Sequence, residues 1–256
     1  MNEDWKNKEI QFKGKRFGNT FLTEKETEYA SNVWPGLVLR KGERHLLLQA
    51  PGPFDAIGSA VYGGGVTRLR RMANIYVDKH YDCSDPVRDV ADWLREWRYP
   101  VDTTAGLLTA VQLKHASVME ERNGEAAVFC CVTAGTSNAA KAGSERTTYP
   151  AYRPGTVNIM LMIDAKLTQA AMVNAIMTAV EAKAAALADL DVRDAENGLV
   201  ATGTTSDAIM LGVSQSAAYP VEHMYAGTAT DLGGMVGRAV YGAVKEALLT
   251  AWAERH

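Results

Sequence analysis

The chain has 256 residues, 47% of them hydrophobic and 22% charged, with 27 basic against 30 acidic side chains for a net charge of −3. A chain of this size buries enough surface to fold without staples, and its composition excludes intrinsic disorder, collagen, a coiled coil and a small disulfide scaffold. There is no global basic field for nucleic acid and no polybasic tail for a membrane surface, so neither is expected as a partner. The opening Met1–Lys6 is polar and mixed in charge, unlike a secretory signal. The longest aliphatic runs, Ala126–Val132 and Val157–Ile163, reach about seven residues against the ~20 that span a bilayer. Cys83, Cys130 and Cys131 make an odd set with one adjacent pair, which suits reduced thiols, and a cytoplasmic location is expected.

The first half reads as short strands. Ile10–Phe12 and Arg16–Leu22 flank Lys13-Gly14-Lys15 as one hairpin, and Leu37–Leu39 with His45–Leu48 form a second that Pro51-Gly52-Pro53 ends. Gly63-Gly64-Gly65 breaks the chain before Val66–Val77. Asp85-Pro86 then reads as an N-cap with proline at the first helical position, opening a helix to about Trp97. Ala126–Val132 and Gly155–Ile163 read as buried strands by their length and unbroken apolar character. Thr168 caps a long helix to about Leu190, Gly198–Thr202 and Ala208–Val213 are further strands, and a last helix runs from about Leu232 to Ala253.

These elements predict an α/β or α+β fold, a layered mixed sheet covered by long buried helices. A single domain over residues 1–256 is expected, with an N-terminal hairpin region (1–50) and a core (51–250). The Thr168–Leu190 helix is apolar around most of its circumference and is expected to be buried. On it Asn174, Thr178 and Glu181 share one stripe, with Lys183 opposite. A carboxylate on such a helix needs a partner, so Glu181 is either a satisfied structural contact or a group facing the active site.

No metal site is predicted. His45, His80, His115, His223 and His256 have no ligand spacing between them, and Cys-x-x-Cys and His-Glu-x-x-His are absent. Gly63-Gly64-Gly65 lacks the residues of a phosphate loop, and no Gly-x-Ser-x-Gly elbow occurs. Three polar turns at strand ends remain: Thr133–Asn138, Arg153–Asn158 and Thr202–Asp207. Such turns supply free backbone N–H groups and hydroxyls around a shared crevice. Ser137, Thr204, Thr205 or Ser206 could act as nucleophile, with Asp207 or Glu181 as base.

Thr133-Ala-Gly-Thr-Ser-Asn-Ala-Ala140, Gly155-Thr-Val-Asn-Ile159 and Glu181-Ala-Lys183 resemble the adenosylcobinamide amidohydrolase (CbiZ-type) family. So do Ala201-Thr-Gly-Thr-Thr-Ser-Asp-Ala208, Tyr225-Ala-Gly-Thr228 and Gly237-Arg-Ala-Val-Tyr241. The resemblance runs from about Pro51 to Leu249 and is weaker before Ala126. It implies hydrolysis of the amide between a corrin propionate and aminopropanol in adenosylcobinamide, releasing adenosylcobyric acid and 1-aminopropan-2-ol in cobamide salvage. Asp207, Glu181, Ser206 and Thr205 are then the catalytic candidates. Ser137, Asn138, Asn158, Thr204, Tyr225 and Thr228 are the substrate-binding ones. No separate cofactor is implied, since the cobalt belongs to the corrinoid substrate, and self-association is left open. The family pattern has a histidine where this chain has Ala229, in Gly227-Thr-Ala-Thr-Asp231. That departure keeps a non-catalytic corrinoid-binding protein as the alternative. A broad amide-reading site is expected, with Tyr62, Trp93, Trp97, Tyr149, Tyr152 and Tyr225 as candidate aromatic lining.

Overall fold

The computed structural model describes residues 27–148 and 156–254. The hairpin expected at Ile10–Leu22 lies outside them. In chain order the elements are β1 (Glu28–Ala30), β2 (Val38–Lys41), β3 (His45–Gly58), β4 (Gly65–Tyr76), α1 (Pro86–Glu96), β5 (Thr104–Thr109) and β6 (Ser117–Arg122). There follow β7 (Ala127–Ala134), β8 (Ala139–Ala140), β9 (Val157–Asp164), β10 (Lys166–Leu167), α2 (Gln169–Asp189), β11 (Gly203–Thr204), β12 (Ala208–Val213), β13 (Glu222–His223) and α3 (Asp231–Ala253).

Nine strands form one curled mixed sheet, β1-β2-β3-β12-β9-β7-β6, with β4 on β3 and β5 on β4, and the fold is α+β. Two neighbouring pairs are parallel, β9 with β12 and β4 with β5. Each is joined through a helix, α2 and α1 respectively, as a parallel crossover requires. The other pairs in this sheet are antiparallel.

Alternation along the strands sets the layers. On β7, Val128, Cys130 and Val132 face α2 and α3, while Phe129 and Cys131 face inward to meet Leu46, Leu48, Phe54 and Met72 from the other half of the sheet. The outer side of β3 and β4, through Leu47, Ala73 and Ile75, packs on Val90 and Leu94 of α1. The result is helix, sheet, sheet, helix. β7 and β9 are covered on both sides, and so they read as unbroken apolar runs rather than alternating ones.

Several expectations change. Pro51-Gly52-Pro53 does not end a strand; β3 runs through it, with the register shifting between Gln49 and Phe54. A bulge is where a sheet tolerates prolines, because their missing N–H groups leave no ladder bond unmade. Gly198–Thr202 is not a strand; only Val200 makes an isolated bridge, to Arg193. β5 and β6, absent from the sequence reading, are short and flank a turn. The helix starts hold: Asp85 accepts from the Arg88 N–H at 3.1 Å and Thr168 from the Ala171 N–H at 3.1 Å. α2 has the length and hydropathy of a candidate membrane span, yet its inward side packs on the sheet.

α2 is not buried all round. Its buried residues include Ala171, Ala175, Ala179, Lys183, Ala186 and Leu187, with Thr178 turned toward α3, whereas Val173, Met177 and Val180 are exposed. With apolar residues on both sides, its periodicity could not choose a face.

Among the described residues, strand pairing joins the two halves of the sheet where Asp55–Gly58 runs beside Met210–Val213. A Cβ on Gly58 would lie 2.2 Å from the Ile209 carbonyl oxygen across this seam. Gly58→Ala is expected to cost about 1–3 kcal/mol by overpacking, read as a lowered urea midpoint. On α3, burial pushes the Glu246 carboxyl up from its ordinary value, against a hydrogen bond from Ser117 that opposes this. A carboxyl raised in the folded state favours folding only while protonated. Glu246→Gln is therefore expected to stabilise the protein at pH 7–8, with the gain fading as pH falls toward the ordinary glutamate range, checked by urea unfolding across pH.

Candidate active site

The polar turns converge at one end of the β7–β9–β12 half-sheet. The short antiparallel pairing of β8 with β11 brings the residue before β8 against the residue after β11. Asn138 Nδ2 accordingly donates to Thr205 Oγ1 at 2.7 Å and to Ser206 Oγ at 3.3 Å, and the Thr205 N–H donates to the Asn138 carbonyl at 3.2 Å. From the start of β9, Thr156 Oγ1 donates to the Ser206 carbonyl at 2.6 Å and the Val157 N–H to Asp207 Oδ1 at 3.0 Å. Thr133–Asn138, Thr156–Asn158 and Thr202–Asp207 thus form one cluster; Arg153–Gly155 of the middle turn lie outside the described residues.

Asp207 is the hub of this cluster. Besides Val157, its carboxylate accepts from the Thr204 N–H at 3.1 Å and from Thr204 Oγ1 at 2.5 Å, and Lys183 Nζ pairs with its Oδ2. The Lys183 side chain is 9% exposed and that of Asp207 18%. A buried ammonium is tolerated only when paired, and here the partner is fixed by three further donors. Gly203 makes the approach possible: a Cβ there would lie 2.4 Å from Asp207 Oδ2 and 2.8 Å from Lys183 Nζ.

Lys183 was expected to point away from the site and Glu181 toward it. The helical phase is ideal, but the opposite side faces the sheet, so Lys183 is buried and Glu181 is exposed on the solvent side. The usable signal was the row of small residues Ala171, Ala175 and Ala179, since small side chains let a helix lie close to a sheet; Lys183 continues that row.

Asn158 is not placed to touch a substrate. It is 1% exposed, and its amide donates to Asn74 Oδ1 and to the Leu108 carbonyl, both at 2.8 Å. Asn74 in turn donates to Thr133 Oγ1 at 2.8 Å, so this chain of amides ties β4 and β5 to β7 and β9 beneath the cluster. Tyr225 and Thr228 are exposed and lie on a separate loop, held where Asn174 Oδ1 accepts from the Ala226 N–H (2.8 Å) and Thr178 Oγ1 donates to its carbonyl (2.7 Å). That anchorage is about two helical turns before Lys183, roughly 10 Å along the axis. Ala229 is exposed on the same loop. Of the expected aromatics, Trp93 and Trp97 pack with Tyr81 and His45 around α1, and Tyr62 bridges to Gly106; Tyr149 and Tyr152 are outside the described residues.

Ser137, exposed beside Asn138, also lines a cleft of about 320 Å³ on the other side of this turn. Burial pushes the Cys131 thiol up to about 12 and raises Cys130 as well, so neither supplies a thiolate at neutral pH. Among the described residues no three His, Cys, Asp or Glu side chains gather into a metal site.

A hydroxyl bonded to a carboxylate whose far oxygen is held by a third group is the arrangement of an activated nucleophile. The cluster therefore brings a hydroxyl and a lysine-paired carboxylate together at the ends of layered strands. Residues 36–256 match the model of the adenosylcobinamide amidohydrolase family, and the chain belongs to that family. It is 29% identical over 204 residues to an adenosylcobinamide amidohydrolase of Methanosarcina mazei, covering 77% of this chain and 91% of that one. It is 33% identical over 196 residues to one of Halobacterium salinarum, covering 74% and 78%. An uncharacterized protein of Methanocaldococcus jannaschii is 34% identical over 163 residues, covering 56% and 62%. Among solved structures, a Burkholderia sp. β-aminopeptidase aligns with a TM-score of 0.43 at 13% identity, covering 88% of this chain and 82% of that one.

Lys183→Met removes one partner of the pair while Asp207 keeps three donors and some contact with water. The expected loss is on the order of 2 kcal/mol, below the 3–5 kcal/mol of a fully buried broken pair, and denaturant unfolding of the variant measures it.

Proposed function

We propose that this chain hydrolyses the amide joining a corrin propionate to aminopropanol in adenosylcobinamide, giving adenosylcobyric acid and 1-aminopropan-2-ol, as a cytoplasmic step of cobamide salvage. The observation that carries the reading is the Thr204–Asp207–Lys183 chain at the converging turns of a protein of this family.

In this scheme Thr204 Oγ attacks the amide carbonyl and its proton passes along the existing 2.5 Å hydrogen bond to Asp207 Oδ1. Lys183 and the Val157 N–H hold the carboxylate in place for the transfer. The Asn138 side-chain amide holds the 204–207 turn in place, and the Ser137 hydroxyl beside it orients the substrate amide and donates to the oxyanion of the tetrahedral intermediate. Collapse breaks the C–N bond, and Asp207 returns the proton to the departing amine. Water then attacks the threonyl ester as Asp207 takes its proton, and Asp207 returns that proton to Thr204 Oγ as the ester C–O bond breaks. Thr205 and Ser206 shape the turn beside the attacking hydroxyl. No separate cofactor takes part, because the cobalt is part of the substrate.

The test is release of aminopropanol from adenosylcobinamide, followed by mass spectrometry with EDTA present. Thr204→Val and Asp207→Asn are each expected to lower kcat by about 10²–10⁴-fold, the usual range for losing a nucleophile's activation or proton transfer, while Thr204→Ser keeps most of the rate. Thr204→Val turning over at the parent rate would remove Thr204 from the chemistry.

A further inference from the structure

The solvent side of α2 has no part in the scheme above, yet the exposed apolar surface of the molecule gathers there. Nine large apolar side chains are exposed among the described residues, and seven of them sit on α2 or on the loops at its two ends. Val173, Met177 and Val180 lie on the helix itself. Val221, Met224 and Tyr225 lie on the loop fastened along its first half, where the Thr168 N–H donates to the His223 carbonyl and Asn174 and Thr178 hold Ala226. Leu199 stands on the loop that leaves its C-terminal end. Together they leave on the order of 600 Å² of apolar surface uncovered, the upper end of what the largest patch on a monomer shows. The alanines among them bring the face to roughly the 800 Å² per partner that a stable dimer buries.

The spacing on the helix is that of a packing seam. Val173, Met177, Val180 and Ala184 recur at intervals of four, three and four, the a/d rhythm by which two helices interlock. The face is also its own complement. Its first half is bulky, with Val173 and Met177 on the helix and Tyr225 beside them, whereas Ala184, Ala185 and Ala188 make the second half shallow. A two-fold axis crossing α2 between Val180 and Glu181 lays each helix antiparallel on its copy. Met177 then meets Ala184, Val173 meets Ala188, and Tyr225 is carried toward Leu199 of the other copy. A two-fold contact of this kind needs one self-complementary patch and closes on itself. Antiparallel docking also sets the positive end of each helix dipole beside the negative end of the other.

A lipid surface fits this face less well. An interfacial helix flanks its apolar side with lysine and arginine to meet anionic headgroups. Between Gln169 and Ala188 the one exposed charge is Glu181, and the adjoining loop adds Glu222. Glu181 lies roughly 60° round the helix from the seam, at 100° per residue, so its two copies stay at the wet edge of the contact.

We infer that the solvent face of α2, centred on Met177 and Val180, pairs two copies of this chain as an antiparallel dimer. The experiment is sedimentation equilibrium of the full chain over a wide concentration range, with the variants Met177→Lys and Met177→Lys/Ala184→Glu. The parent is expected to be dimeric. Met177→Lys should raise the dissociation constant by about a hundredfold, because it presses an unpaired charge into the seam. The double variant should recover most of that loss, since each new lysine faces the new glutamate of the other copy. Circular dichroism and an unchanged urea midpoint would show that the single variant is folded, as a half-exposed position allows. A parent that stays monomeric, or a dimer indifferent to Met177→Lys, would overturn the assignment. Failure of the double variant to re-associate would overturn the antiparallel pairing, because a parallel one sets position 177 against itself. A monomer that binds phosphatidylglycerol vesicles, and loses them in Met177→Lys, would give the face to lipid and overturn the dimer.

Discussion

Everything in this molecule hangs on one seam, the four-residue pairing of Asp55–Gly58 with Met210–Val213. β3 is long enough, at 14 residues, to belong to both halves of the sheet. Its first part pairs with β2 and β4, and its last part carries β12, past a proline-containing bulge that turns the strand. Because the sheet curls there, two apolar faces close on one another and the inner core forms without a second chain. The same curl sets the ends of β7, β9 and β12 over the ends of β4 and β5, where the polar turns meet.

Beneath that meeting point the contacts between halves are polar but uncharged. Asn74, Thr133 and Asn158, each 1% exposed or less, exchange hydrogen bonds across the layers. A buried amide left unmade costs about 1–3 kcal/mol, so this chain holds its geometry only when every member is present. It positions the start of β9, and through Thr156 the carbonyl of Ser206, with a precision that apolar packing alone does not provide. Asp207 applies the same logic to charge. Three donors and a buried lysine leave its carboxylate one orientation, with its bond to the Thr204 hydroxyl already formed.

Much of the fold was legible locally. Asp85-Pro86 and Thr168 marked helix starts because capping is a matter of a few adjacent residues. Ala126–Val132 and Gly155–Ile163 read as strands because both of their faces are covered. The turns Thr133–Asn138 and Thr202–Asp207 stood out by composition, and these two do meet. The misreadings share one cause. Pro51-Gly52-Pro53 looks like an end unless a neighbouring strand continues past it. Glu181 looked inward and Lys183 outward because an apolar helix does not reveal which of its sides lies on a sheet. Asn158 looked like a substrate contact because its partners, Asn74 and Leu108, are 84 and 50 residues away.

The sequence by itself determined the three helices, the buried strands β7, β9 and β12, the polar turns and, through ordered motifs, the family. Each depends on residues close together in the chain. Only the tertiary structure decided that Lys183 rather than Glu181 meets Asp207, that Asn158 supports the site from below, and that the Tyr225–Thr228 loop sits two helical turns away. Those outcomes depend on which face of α2 the sheet covers and on where the curl brings distant strand ends together. No local pattern encodes either, because both follow from burying the two sheet faces at once.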